Sequence, residues 1–138
     1  MVYFLDTNIF VAALRGKAPG LRERIMAFPP NQIRVPHQVQ AELLVGAAKS
    51  GRPEHHLQKI ETLLEPFEVV WPDSLSMHHY VEIRTFLERN GTPIGEADLW
   101  ISAMARSAGG TLVSDNHREF ERVPDLLLEN WLNRSPYH

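Results

Sequence analysis

The chain opens on Val2-Tyr3-Phe4-Leu5, a short apolar run rich in β-formers that stops at Asp6 and passes at once into Thr7-Asn8, a pair suited to capping a helix. An apolar strand that feeds directly into a helix belongs to an α/β fold, and it delivers Asp6 to the rim of a sheet. The same unit recurs along the chain. Residues 33–35 read as a strand leading through Pro36 into a helix over 38–50. Residues 67–71 read as a strand stopped by Pro72, with a helix over 75–89 behind it, and 111–113 read as a strand ending at Ser114-Asp115-Asn116.

Helical spacing fills the intervals. Thr7 or Asn8 is expected to cap a helix over 9–14, which Gly16 and Pro19-Gly20 end. Residues 21–28 place Leu21, Ile25 and Phe28 on one face before Pro29-Pro30, and 55–64 carry Leu57, Ile60, Leu63 and Leu64. The 75–89 helix ends at Asn90-Gly91 in the manner of a left-handed cap, and the 96–108 helix closes at Gly109-Gly110. Ile94, Ala97, Ile101, Met104 and Ala108 are spaced as its apolar stripe. A helical turn at 119–121 and a strand at 126–128 complete the reading. The alternation predicts an α/β sandwich with a mostly parallel central sheet, whose functional crevice lies at the carboxyl ends of the strands.

At 138 residues the chain is expected to form one domain, 1–138, with the last few residues as a tail. An apolar content of 43% against 22% charged argues against disorder. The absence of an apolar run near membrane-spanning length and of a signal-like start argues for a cytoplasmic protein. With no cysteine there is neither disulfide nor thiolate metal site, and a net charge of -3 provides no overall basic footprint for nucleic acid. Phosphate contacts would rest on local patches such as Arg15, Lys17, Arg22 and Arg24, or on Arg118.

Four acids fall at or near the expected crevice. Asp6 and Asp115 follow strands directly, Glu42 lies within about two turns of the start of a helix that follows a strand, and Asp98 lies in the first turn of another. Each has an ordinary alternative: helix cap for Asp6, solvated helix residue for Glu42, dipole complement for Asp98, Asx-turn residue for Asp115. Gathered together they mean more, because burying several carboxylates in one place is costly unless a cation neutralises them. Oxygen ligands suit hard divalent ions, which activate water and stabilise the leaving oxygen of a phosphodiester. No GxxxxGK[ST] or GxGxxG motif is present, so nucleotide binding of those types is excluded.

Taken in order, Leu5-Asp6-Thr7-Asn8-Ile9, Glu42 in an apolar helix, Pro93-Ile94-Gly95-x-x-Asp98-Leu99-x-Ile101-x-Ala103, and the run from Leu112 to Pro124 resemble PIN-domain proteins, most nearly the VapC-type toxins of toxin–antitoxin modules. The resemblance covers essentially the whole chain. It implies a three-layer α/β/α sandwich and an Mg²⁺- or Mn²⁺-dependent ribonuclease that leaves 5′-phosphate and 3′-hydroxyl ends. Asp6 and Asp98 match the metal-binding aspartates and Glu42 the third acid. Many relatives carry an Asp where Asn116 stands, while others have Asn there and an acid before the Phe, here Glu119; the fourth acid is therefore Asp115 or Glu119. Ser114 matches a position that orients Asp6, with Asn8 and Asn116 as further supports. The resemblance also implies a homodimer and a VapB-like antitoxin that covers the active site.

Two other families that place an Asp after strand 1 fit less well. A haloacid-dehalogenase-type phosphatase needs Asp-x-Asp, and the second place is Asn8; a receiver domain needs a Lys after a late strand, where Ser114-Asp115-Asn116 has none. A metal-free PIN-like module that only binds RNA or protein remains the alternative. The adjacent pairs His55-His56 and His78-His79, and the isolated His37, His117 and His138, lack metal-ligand spacing and read as structural or solvated. Trp71, Trp100 and Trp131 read as core or interface anchors rather than base-stacking platforms.

Overall fold

In a computed structural model of the protein, residues 1–132 are described; the expected C-terminal tail and His138 lie outside them. Five short strands form the sheet: β1 (Tyr3–Leu5), β2 (Ile33–Pro36), β3 (Glu68–Val70), β4 (Thr111–Val113) and β5 (Leu127–Glu129). All pairs are parallel, in the order β3-β2-β1-β4-β5. The chain therefore winds to one side of β1 first and to the other side later. The switch falls between β1 and β4, where an α/β sheet opens its crevice.

Among the described residues seven helices flank the sheet in the three-layer sandwich: α1 (Thr7–Arg15), α2 (Leu21–Ala27), α3 (His37–Ala48), α4 (Pro53–Leu64), α5 (Ser74–Arg89), α6 (Glu96–Ser107) and the single turn α7 (His117–Phe120). A 3-10 turn at Pro30–Gln32 precedes β2. The main core joins Leu5, Ile9, Phe10, Ile33, Val35 and Leu112, all fully buried, with the inner faces of α1, α3 and α4. At about 1.5–3 kcal/mol for each large side chain removed from water, this layer dominates the stability.

Helix α6 is where spacing alone misleads. Ile101, Met104 and Ala105 join the main core, while Leu99 and Ala103 face Ile83 and Leu87 of α5 in a second one. The helix is thus buried on two sides rather than along one stripe, and Ala108, expected on that stripe, is exposed beyond the helix end. Both α5 and α6 end in Schellman caps. Thr92 N donates to Leu87 O and Gly91 N to Glu88 O; Gly110 N donates to Ala105 O and Gly109 N to Arg106 O.

Of the expected caps for α1, the structure uses neither Thr7 nor Asn8 but Asp6, the ordinary alternative for that acid; its side chain accepts from Thr7 N, and the helix begins two residues earlier than the spacing indicates. The last two elements shift by one or two residues: the helical turn spans His117–Phe120 and the last strand Leu127–Glu129.

Candidate active site

Asp6 leaves β1 at the switch point, with its backbone N–H donating to Val113 O of β4 at 2.9 Å. Its carboxylate is 7% exposed and held on both oxygens: Oδ1 accepts from Thr7 N at 2.8 Å and Oδ2 from Ser114 Oγ at 2.8 Å. Burial raises its pKa above the ordinary carboxylate value, and the two hydrogen bonds work against that rise. Helix cap and crevice acid are therefore the same group.

Ser114 is fully buried where β4 ends, and its hydroxyl is a hub. Besides donating to Asp6 it accepts from Asn116 N at 3.0 Å and lies 3.4 Å from Asn8 Nδ2. Asn8 Oδ1 accepts from Asp115 N at 3.1 Å, tying the start of α1 to the turn after β4. Asn116 Nδ2 reaches Glu119 Oε2 at 3.4 Å. One hydroxyl and two amides thus connect Asp6 with Glu119.

Asp98 enters from the first turn of α6, whose start at Gly95 has no side-chain cap. Its pKa is pushed up to about 7 by burial first, then by the negative charge of Asp6, by the charge of Glu119 and a hydrogen bond with it, and by the charge of Glu42. The fold thus brings four acids together, from α1's start, α3, α6 and α7. They grade outward from buried Asp6 through half-buried Asp98 and Glu119 to exposed Glu42.

Asp115 is not among the charges acting on Asp98. Its exposed carboxylate accepts from Asn130 Nδ2 at 2.8 Å, behind β5. Of the two acids that the sequence left open, Glu119 faces the crevice and Asp115 is turned toward Asn130.

The donor set is all oxygen and anionic, the chemistry a hard divalent cation requires, and every charge raising Asp98 is negative. Among the described residues no group of three or more His, Cys, Asp or Glu side chains is placed to hold a metal ion as it stands. An open, partly solvated cluster of carboxylates suits an ion that keeps several of its own waters and takes only one or two carboxylates.

Several residues that shape this site carry no local signal. The segment bearing Glu119 is clasped by Arg106 of α6, whose Nη1 donates to Pro124 O at 3.0 Å, while its Nε donates to His79 Nδ1 and its Nη2 pairs with Glu82. Arg122 Nη1 reaches Pro93 O at 3.3 Å, fastening the same segment to the loop before α6. Only the meeting of α5, α6 and the segment after β4 reveals these contacts. In the basic N-terminal patch, Arg24 is partly committed: it lies over the Trp131 ring at 4.4 Å and 4.0 Å from Glu129.

From Glu42 an open groove of roughly 460 Å³ runs between α1, α3 and α4, with Arg15, His56 and Lys59 among its lining residues. Cationic groups line the same groove as the acid.

The PIN domain model matches residues 3–126. The chain is 35% identical over 132 residues to Ribonuclease VapC1 of Haemophilus influenzae, covering 95% of this chain and 98% of that one. It is 38% identical over 131 residues to the tRNA(fMet)-specific endonuclease VapC of Shigella flexneri, covering 94% and 97%. The crystal structure of VapBC2 from Rickettsia felis, bound to a DNA fragment from their promoter, includes a chain that superposes with a TM-score of 0.87 at 36% identity, covering 95% of this chain and 99% of that one. With its crevice at the β1/β4 switch, its acids on four separate elements and these matches over nearly its whole length, the chain belongs to the PIN-domain family, in its VapC branch.

Proposed function

We propose that this chain is a divalent-metal-dependent endoribonuclease toxin that acts as one domain on a structured RNA such as a tRNA. The observation that carries the reading is the convergence of Asp6, Glu42, Asp98 and Glu119 at the sheet's switch point, where burial and the three neighbouring acids push the Asp98 pKa up to about 7. A fold that keeps such a group in a crevice bears a cost, and a bound cation would turn that cost into affinity. Asp6 and Asp98 would hold Mg²⁺ or Mn²⁺, with Glu42 and Glu119 completing the ring. When bound, the ion would activate a water for in-line attack on phosphorus and neutralise charge on the phosphate.

The chain's own residues supply the rest. Thr7 N and Ser114 Oγ fix the plane of the Asp6 carboxylate, so its orientation does not change as charge develops. Asn116 steadies Glu119 at the outer side, where water enters. Asp98, raised to about 7 in the metal-free fold, would hold a cation in its ionised form, which would couple loading to pH.

The relatives extend the reading to substrate and partners. One is named for specificity toward tRNA(fMet), and the Rickettsia felis neighbour was crystallised as VapBC2 on promoter DNA. By analogy this chain would cleave RNA in the cytoplasm, form a homodimer, and be silenced in a hetero-oligomer with a VapB-like antitoxin. No helix among the described residues is long and apolar enough to cross a membrane.

The test is cleavage of a tRNA pool by the purified chain in Mg²⁺ or Mn²⁺, with EDTA and with Asp6→Asn as controls. Expected are discrete fragments that both controls abolish. Cleavage surviving EDTA overturns the mechanism, and metal-independent RNA binding without cleavage supports the non-catalytic reading instead.

A further inference from the structure

The three tryptophans are used in three ways. Trp131 is 5% exposed and stacks on Phe28 with planes 3° apart, as a core residue does. Half-buried Trp100 stacks on Tyr80 between α5 and α6. Trp71 is 67% exposed, so it is not the core residue that was one of its two expected roles, and among the described residues its one ring partner is His37, at 4.1 Å and 13° between planes. An indole normally buries most of its surface to contribute its apolar area. This one is held flat by a single neighbour with much of its surface left in solvent.

Its position in the fold is specific. Register pairs Pro36 with Val70, so His37 and Trp71 leave β2 and β3 side by side at the carboxyl edge of the sheet, the edge from which Asp6 and Ser114 also emerge. Two strand spacings separate β3 from β1, on the order of 10 Å. The indole also lines a pocket with Ser107 at the far end of α6 from Asp98, so a base on it would belong to the same strand as a phosphate at the acids without having to be its immediate neighbour. His37 Nδ1 and Gln38 Oε1 are both buried without a hydrogen-bond partner, leaving unused polar capacity at this corner. Burial also lowers the His37 pKa, which favours a neutral ring in the stack.

We propose that Trp71, braced by His37, is a stacking platform for a nucleobase of the strand whose phosphate is held at the acidic crevice. The inference rests on the ribonuclease reading above and adds to it where the strand is gripped. Aromatic rings hold single-stranded bases by stacking with little regard to sequence, and the loss of one ring weakens binding measurably. An imidazole stacked on the inner face sets the indole plane, so the outer face is presented ready for a base.

The experiment measures binding of a short single-stranded oligoribonucleotide to the full chain in EDTA, where cleavage does not interfere. The same strand with abasic residues serves as the backbone-only probe. Trp71→Ala is expected to weaken binding of the base-bearing strand about tenfold, leave the abasic strand unchanged, and lose quenching of tryptophan emission by RNA. Trp71→Phe is expected to recover most of the affinity, which a merely structural role would not produce. Equal affinity of wild type and Trp71→Ala for the base-bearing strand, equal losses on both strands, or no binding by wild type each overturns the platform. So does unchanged RNA binding with a smaller species on size exclusion, which would instead assign Trp71, with exposed Leu75 and Val81 of α5, to contact between copies. A chain that binds RNA through Trp71 but never cleaves it keeps the platform and loses the nuclease. One that cleaves in Mg²⁺ while Trp71→Ala binds normally does the reverse.

Discussion

The two ends of the one sheet follow opposite rules. At the amino end, where β1 and β4 begin, atoms are as close as they can be: a Cβ on Gly110 would meet Phe4 Cε1, Val2 Cγ2 and Val2 O, each at 2.9 Å. Thr111 N donates to Val2 O at 2.9 Å, and Gly110 N ends α6 on Ala105 O. These contacts are made within the fold itself. At the carboxyl end the same two strands release Asp6 and Ser114 into a crevice where four acids converge and one is held near neutrality. There the groups are oriented, yet their charge is uncompensated. The difference separates residues that hold the fold from residues kept ready for a ligand, which well-packed proteins tolerate only where function requires it.

The largest expected effect comes from removing a charge at the carboxyl end. Asp6→Asn or Asp98→Asn should lower Mg²⁺-dependent RNA cleavage about a thousandfold, since a ligand supporting several kcal/mol of charge stabilisation is lost. Circular dichroism should show both variants folded. If either unfolds, that acid belongs to the scaffold and the contrast between the two ends breaks.

Ser114→Ala should come next. It leaves Asp6 in place but removes the hydroxyl that fixes Oδ2 and joins Asn8 and Asn116. Loss of such an orienting partner is expected to weaken Mn²⁺ binding about 10- to 100-fold, read by titration of the metal-free protein. Asp115→Asn, whose carboxylate is turned to Asn130, should leave that affinity within about twofold, because groups away from the site add little. Equal losses in the two variants would return Asp115 to the acid ring.

Which of these distinctions the sequence carries depends on how far apart the partners lie. Asp6 is legible at once, since an apolar strand, an acid and a helix start are adjacent along the chain. Asp98 is legible as a first-turn acid, although nothing local separates a dipole complement from a ligand. Ser114 meets Asp6 across 108 residues, and only the β1/β4 pairing, which is a property of the sheet order, joins them. The different orientations of Asp115 and Glu119 come from the turn after β4, whose four-residue helix carries Glu119 inward while Asn130 engages Asp115. The family pattern narrowed the fourth acid to these two and local propensity could go no further. Helix α6 was misread for a related reason: a helix buried on two faces has no single stripe, so periodicity understates its burial. Trp71 was expected as a core or interface anchor; the edge position of β3, which no local pattern reveals, keeps it out of the core.

At the amino end the expected effect is on stability alone. Gly110→Ala forces a Cβ against Phe4 and Val2, which overpacking data put at about 1–3 kcal/mol. Urea unfolding should show the midpoint fall, while Mn²⁺ affinity at temperatures where the chain stays folded should be unchanged. A drop in affinity at full folding would mean the two ends are mechanically linked.

The smallest effect is also the one with the least ordinary sign. Asp98 has an ordinary pKa of 3.8 and a folded one of about 7. Between those values the folded state keeps a proton that the unfolded chain releases, so stability of the metal-free protein should fall as pH rises from about 4 to about 7 and stay low above that. Asp98 is half exposed, and with solvent screening the penalty is on the order of 1–2 kcal/mol rather than the full pKa difference. Asp98→Asn should therefore raise the melting temperature of the metal-free chain by a few degrees at pH 8 and leave it unchanged near pH 4. Saturating Mg²⁺ should stabilise the wild type at pH 8 and do less for the variant, because binding to the folded state stabilises only what binds. Scanning calorimetry of both chains, with and without Mg²⁺ at the two pH values, reads all of this at once. A variant that inactivates the enzyme while stabilising the empty protein is what charges assembled for a ligand should give; one that destabilises it at pH 8 would make Asp98 part of the scaffold.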